Sequence, residues 1–423
     1  MATYSPTKLG RCYIVAQTSF SGGKTATQAI DNGHVVECEA FVPTNAREVH
    51  PREAVRGGYH AIGPVSGSQG GQNTITLTMK MHGVSSSVPS GQPSANAEAA
   101  ILGSILGGQT IHNFNSAVVD SSGSDADTID GPGGSYKAGT GMIIKTADSS
   151  TGYEMGFIEN AQSDTAVELR TPFTATASPQ NGSNTHGTVS SWLHTAETTA
   201  FTILVRSLDN NSQTLAQGCV PTSVSITLDA KGAPTMEATF WVNTIERSAA
   251  SSALSEYAYS LPVLPAATGN AAARLCYGQS SATAFDVESF SVSIEQEVQP
   301  QLSHDATSGY GDVTVTNRAV TCSFSSIAGA ATPWDSGDLS TIFDLNNVDD
   351  ATGSKAIQLT LGNTPGSMLG LHIPVPLLTA PPSLADLNGT WGVTHECAAG
   401  RYTGDTASSS ESSTDNSFVI ALG

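Results

Sequence analysis

From Asn73 to Met81, the apolar residues Ile75, Leu77, Met79 and Met81 are separated by Thr74, Thr76, Thr78 and Lys80, a strict period of two. Side chains of a strand point alternately to opposite faces, so this stretch predicts a strand with one dry and one wet side. The construction returns at 223–229 (SVSITLD), 235–240 (TMEATF) and 290–295 (FSVSIE), each with hydroxyls or carboxylates on its wet side. Further strands are predicted at 34–42, 200–208, 356–361, 369–378 and 390–397, with Asp229–Gly232 as a turn. Pro93–Glu98 opens a helix predicted over 95–106, in which Ala97, Ile101, Leu102 and Ile105 share a face and Gly107-Gly108 ends it. A single amphipathic helix among strands lies on a sheet or between sheets. Residues 1–33 read as a polar N-terminal arm with one apolar spot, Cys12 to Ala16.

The order strand, charged loop, strand, helix and three strands occurs twice. Pro300 follows the strand 290–298 as Pro51 follows the strand 34–42, and Gly309-Tyr310 corresponds to Gly58-Tyr59. The stretch around Val320, Cys322 and Phe324 answers 73–81. Pro333, Asp338, Ile342 and Leu345 answer Pro93, Glu98, Leu102 and Ile105. The copies differ at 109–199, where a Gly/Ser/Asp linker (120–135) precedes short apolar bursts at 142–144, 155–158, 166–169 and 189–192. Closely spaced short strands predict a small inserted β-barrel. The expected organisation is therefore a discontinuous first domain (1–108 plus 200–250), an insert (109–199) and a second domain (251–423).

Composition narrows the function. The 423 residues carry 37 Asp and Glu against 17 Lys and Arg, a formal charge of −20. Tight binding to nucleic acid or an anionic membrane needs clustered cations, so neither is an expected partner surface. No apolar run approaches the ~20 residues of a membrane span, and the N-terminus shows no export-signal pattern. Cys12, Cys38, Cys219, Cys276, Cys322 and Cys397 are too scattered for a zinc or dithiol motif and are expected to be buried thiols. Ser21–Thr25 resembles the end of a phosphate loop, but Thr18 stands where the first glycine belongs. Asp125–Gly131 has the acidic spacing of a calcium loop without the distal acid, and reads as a linker. Paired carboxylates Glu37/Glu39 and Glu295/Glu297 lack the apolar shielding that acid–base catalysis needs. No catalytic residue, cofactor or metal is expected.

The chain resembles the major tail tube proteins of long-tailed (siphovirus-type) bacteriophages, whose rings stack into the tube that conducts DNA. The resemblance runs from 34–43 and its charged loop to Pro64, through 73–81 and 95–106, to the strands ending at 242. It resumes from 287–298 through Cys397. Gly218–Trp241 is similar to the family's late hairpin and Ser417–Leu422 to its closing strand. The resemblance implies a mainly β fold: two tandem tail-tube-type sandwich or barrel domains, each flanked by a short helix. It also implies a virion protein assembled in the host cytoplasm, three chains forming a pseudo-hexameric ring. Implied partners are further copies of the chain, a tape measure protein and tail terminator or tip proteins, with DNA passing transiently and no membrane. The wet faces supply lumen candidates, Thr74, Thr76, Thr78, Ser223, Ser225, Thr227, Asp229, Glu237 and Glu295, whose hydroxyls and carboxylates do not hold phosphates. The 44–64 loop, with Arg47, Glu48, Arg52, Glu53 and Arg56, is the expected ring-to-ring contact. The competing readings are a surface or glycan-binding β-sandwich protein and a decoration or baseplate protein.

Overall fold

The computed structural model describes residues 10–32, 34–36, 38–44, 49–50, 65–66, 73–82, 97–107, 109–113, 128–130, 139–145, 153–163, 166–169, 188–193, 199–207, 212–229, 232–249, 274–277, 287–303, 305, 310–327, 356–362, 367–380, 383–387, 389–400, 406–407 and 417–423. It is mainly β. The chain begins with β1 (Gly10–Ala16), α1 (Ala26–Asn32), β2 (His34–Val36), β3 (Cys38–Thr44), β4 (Val49–His50), β5 (Val65–Ser66), β6 (Thr74–Lys80) and α2 (Ala97–Leu106). There follow β7 (Gln109–Asn113), β8 (Thr128–Asp130), β9 (Gly141–Lys145), β10 (Tyr153–Ser163), β11 (Ala166–Leu169) and β12 (Thr188–Leu193). The long strands β13 (Phe201–Ser207), β14 (Ser212–Asp229) and β15 (Thr235–Ala249) come next. The second half contains β16 (Arg274–Tyr277), β17 (Val287–Leu302), β18 (Tyr310–Ile327), β19 (Ile357–Leu361) and β20 (Leu369–Ile373). It ends with β21 (Pro376–Leu378), β22 (Ser383–Leu387), β23 (Thr390–Ala399), β24 (Thr406–Ala407) and β25 (Val419–Leu422).

One path through the largest sheet joins the two halves of the sequence. Strands β3, β6, β15, β14, β17, β18, β23 and β22 are hydrogen-bonded neighbours in that order, all antiparallel. The joint between halves is β14 against β17, with seven residue pairs from Ser223↔Glu295 to Asp229↔Ser289. Burial alternates along β6 and along the paired parts of β14, β15 and β17. Leu77, Ala238, Val224, Ile294, Cys322 and Cys397 belong to one contiguous core that runs through both halves. That core is closed from the other side by α2 and by a six-stranded sheet, β16-β19-β20-β25-β12-β7.

Strand β14 serves two partners of the same sheet because its register changes along its length. Its first part pairs with β13 and its last part with β17. At the change-over Gly218 has φ +61°, and a Cβ there would lie 2.7 Å from the Asn243 Cβ, so glycine is required on two counts. A register shift follows between Pro221 and Ser223. Bulges of this kind bend a strand and re-aim it. The Pro221 carbonyl accepts a hydrogen bond from Gln296 Nε2 of β17. Gln296 in turn accepts one from Arg318 Nε at 3.1 Å. Burial lowers the pKa of that guanidinium from its ordinary value.

Three expectations change. Residues 10–16 are not part of an arm: β1 lies between β2 and β13, with Cys12 and Ile14 in the main core and Tyr13 and Val15 against α1. Both of its faces are covered, so its sequence is a continuous apolar run without alternation. The segment 109–199 forms no closed barrel among the described residues. Strands β8 to β11 join β24 in an open five-stranded sheet, while β7 and β12 pair with each other and β12 with the C-terminal β25. Helix α2 has no wet side; Glu98 and Ser104 are buried along with Ile101, Leu102 and Ile105. It is therefore a helix between layers. Thr128–Asp130, within the rejected calcium motif, is the strand β8 paired to β11.

The small sheet sits on the outer side of β20. A Cβ at Gly370 would lie 2.5 Å from Met155 Sδ, and Phe157 stacks on His372 at 5.0 Å between ring centres. A second aromatic contact ties the halves together: Trp241 stacks on Phe20 and meets Tyr310 edge-on, both at 5.6 Å. The expected second helix, around Pro333 to Leu345, lies outside the described residues.

Candidate functional surface

The side of the wall away from the core is a field of hydroxyls and carboxylates set by strand register. In one row across the sheet Thr78, Glu237, Ser225, Ser293 and Thr321 stand opposite one another in turn. The adjacent rows read Thr76, Thr239, Ser223, Glu295 and Lys80, Thr235, Thr227, Ser291, Ser323, Glu396. Asp229, Ser289, Ser325 and Thr394 make the next. All nine residues expected on wet faces, Thr74, Thr76, Thr78, Ser223, Ser225, Thr227, Asp229, Glu237 and Glu295, thus share one face of one sheet. The alternation along each strand placed them on a face. Only the pairing made those faces the same one.

Neighbouring hydroxyls satisfy one another. Thr76 and Thr239 share a hydrogen bond of 3.1 Å, Thr227 and Thr235 one of 2.7 Å, and Ser325 and Thr394 one of 3.0 Å. Thr78 donates to Glu237 Oε2 at 3.4 Å. Cross-strand hydroxyl pairs of this kind each add a few tenths of a kcal/mol and fix side-chain direction. Among the described residues of these rows, the carboxylates of Asp229, Glu237, Glu295 and Glu396 stand against one ammonium, Lys80. The surface is thus acidic and already hydrogen-bonded within itself, a poor match for phosphate.

Sequence reading missed part of this face. Ser289, Ser291, Ser293, Thr321, Ser323, Thr394 and Glu396 belong to it equally. A signal was present: Thr235-Met-Glu237 in β15 and Thr394-His-Glu396 in β23 are the same pattern in corresponding strands. Glu237 faces Thr78 as Glu396 faces Ser323. Arg47, Glu48, Arg52, Glu53 and Arg56 lie outside the described residues. Nearby, only the backbone pairing of β4 with β5 is described.

Away from the polar face lie cysteines and histidines that burial disarms. Cys12, Cys219, Cys322 and Cys397 are buried and form no disulfide. Burial pushes the Cys219 thiol up, and a hydrogen bond to Cys397 together with burial raises Cys322, so neither is a reactive thiolate. His395 stacks on Phe324 at 4.6 Å, and burial pushes its imidazole down to about 4. His82, one residue past Met81, meets Glu98 in the first turn of α2 at 2.6 Å, with both side chains buried.

A separate cavity of about 540 Å³ lies between residues 17–20 and the β18 segment 312–315, floored by Phe20 and Val220. No helix among the described residues is long and apolar enough to cross a membrane. Neither the models of known protein families nor the curated protein sequences compared with the chain match it.

Proposed function

We propose that this chain is a tail tube subunit of a long-tailed bacteriophage, a structural virion protein that closes into rings and stacks into a conduit for DNA. The observation that carries the reading is the eight-strand wall, with one buried face, one acidic hydroxyl face and an edge at each end that has no strand partner among the described residues. An open antiparallel edge is a template for another strand, and cyclic closure removes every such edge.

The order of pairing supports a tandem wall segment. In the first half β3, β6, β15 and β14 are neighbours in that order; in the second β17, β18, β23 and β21 are. Strand β14 also reaches back to β13. Likewise β20, which leads directly into β21, pairs with β19. Two equivalent wall segments per chain let three chains do the work of six. Twenty-four strands at about 4.8 Å spacing and a tilt near 40° enclose a ring roughly 50 Å across its backbone, wide enough for a DNA duplex.

In this reading Thr76, Ser225, Glu237, Glu295 and their neighbours line the bore. They repel phosphates rather than bind them, so DNA slides. The partners are further copies of the chain along the ring and the stack, a tape measure protein within, and terminator or tip proteins at the ends. Electron microscopy of the purified full chain at rising concentration tests it: rings or tubes with an open centre are expected. Dispersed monomers at every concentration would overturn it.

A further inference from the structure

We infer that the seam between neighbouring copies is a β3 to β21/β22 pairing whose register is a copy of the joint inside the chain. This rests on the ring reading and specifies which residues make it. The wall ends in β3, bonded on one side to β6, and in β21 and β22, which share one side of β23. Among the described residues neither end has a second strand partner. The chain nevertheless shows what such ends do when they meet, because β14 and β17 are the corresponding strands and are paired.

The register follows from correspondence across the wall. Thr235 stands opposite Lys80 and Thr227; its counterpart Thr394 stands opposite Ser325 and Ser383. Glu237 stands opposite Thr78 and Ser225. For Glu396 the partners are Ser323 and Thr379, whose N–H donates to the Glu396 carbonyl at 3.0 Å. Thr239 stands opposite Thr76 and Ser223, and Ala398 opposite Thr321 and Leu377. Hence Leu377, Thr379 and Ser383 occupy the places of Ser223, Ser225 and Thr227. On the other edge Thr44, Val42 and Ala40, opposite Thr74, Thr76 and Thr78, occupy the places of Glu295, Ser293 and Ser291.

Inside the chain Ser223 opposes Glu295, Ser225 opposes Ser293 and Thr227 opposes Ser291. Between copies, Leu377 therefore opposes Thr44, Thr379 opposes Val42 and Ser383 opposes Ala40. This register keeps the polar faces of adjacent copies continuous; a slip by one residue would turn the apolar face of one copy to the polar side of the next. It also accounts for Val42, an exposed apolar side chain at 57% on the polar face of an edge strand. Pro43, in β3, lacks an N–H, and the facing edge consists of two separate strands, β21 and β22. The seam thus has fewer backbone bonds than the joint within the chain and is the weaker of the two.

Cysteine pairs in the full chain test the seam, since directly opposed Cβ atoms lie within about 4.5–5.5 Å. Val42→Cys combined with Thr379→Cys, mildly oxidised after assembly, should convert the monomer band into a chain-to-chain ladder on a non-reducing gel. Each single variant should leave the monomer. Thr44→Cys with Ser383→Cys, displaced along the strand by about 13 Å, should also leave it. Ser225→Cys with Ser293→Cys reports the internal joint: it should close within one chain, without a ladder. Both seam positions are solvent-exposed, so the substitutions leave the core intact. Rings that form without the Val42–Thr379 ladder, or with a ladder from the displaced pair instead, overturn the seam and leave the ring reading standing. Absence of any ring overturns both.

Discussion

At the residue scale, the chain separates two kinds of polar group by burial. Hydroxyls on the wall's polar face pair with each other, as Thr76 does with Thr239 at 3.1 Å and Thr227 with Thr235 at 2.7 Å, and these four remain at least partly accessible. His395, on the dry face, is 1% exposed and neutral. Its folded-state pKa lies below the unfolded value, so the unfolded chain binds the extra proton between the two. Its contribution is complete above about pH 6.5 and falls away as pH drops toward 4, an effect of up to about 3 kcal/mol. Urea denaturation at a series of pH values should show this as a slope between pH 6.5 and 4 that is shallower in His395→Gln. An identical slope in the variant would remove His395 from the acid response.

At the element scale, α2 is held by a buried His82–Glu98 hydrogen bond as well as by packing. Its first-turn Glu98 reaches back to His82, which follows the wall strand β6. A buried pair costs little to replace as a whole and much to break, because the survivor is a buried polar group left without its partner. His82→Ala should therefore destabilise the fold by about 3–5 kcal/mol, and His82→Leu with Glu98→Met should recover most of the loss. Equal losses in the two, measured by denaturant midpoint at unchanged slope, would show that packing alone positions the helix. Strand β6 was legible from its sequence, since burial alternates along it as the residues do. Strand β1 was not, because an element covered on both faces has no period-two contrast to read.

At the scale of the whole molecule, the decisive feature is that the halves form one wall with a shared core rather than two linked bodies. Charges from distant segments then act as one surface: Glu237 and Glu396, 159 positions apart in sequence, stand in neighbouring rows. Replacing both by lysine leaves two carboxylates, Asp229 and Glu295, against three ammonium groups in the described rows. Assembled wild-type protein is expected to let duplex DNA pass through a gel filtration column unretained at low salt. The Glu237→Lys, Glu396→Lys variant should retain it and release it as salt rises, the signature of counterion exchange. Retention by the wild type would contradict a repelling bore.

The amino-acid sequence by itself determined the strands whose two faces differ, the sidedness of each and the Asp229–Gly232 turn. These follow from local periodicity and backbone preference, which act within a few residues. Tertiary structure alone decided that nine residues from four strands share a face, that Gly218 and Pro221 bend a strand instead of ending it, and that β7 and β12 are drawn to the C-terminal β25. Each of these depends on which edges meet. Edge pairing is governed by backbone hydrogen bonds that every residue but proline offers equally, so it leaves little trace in side-chain identity.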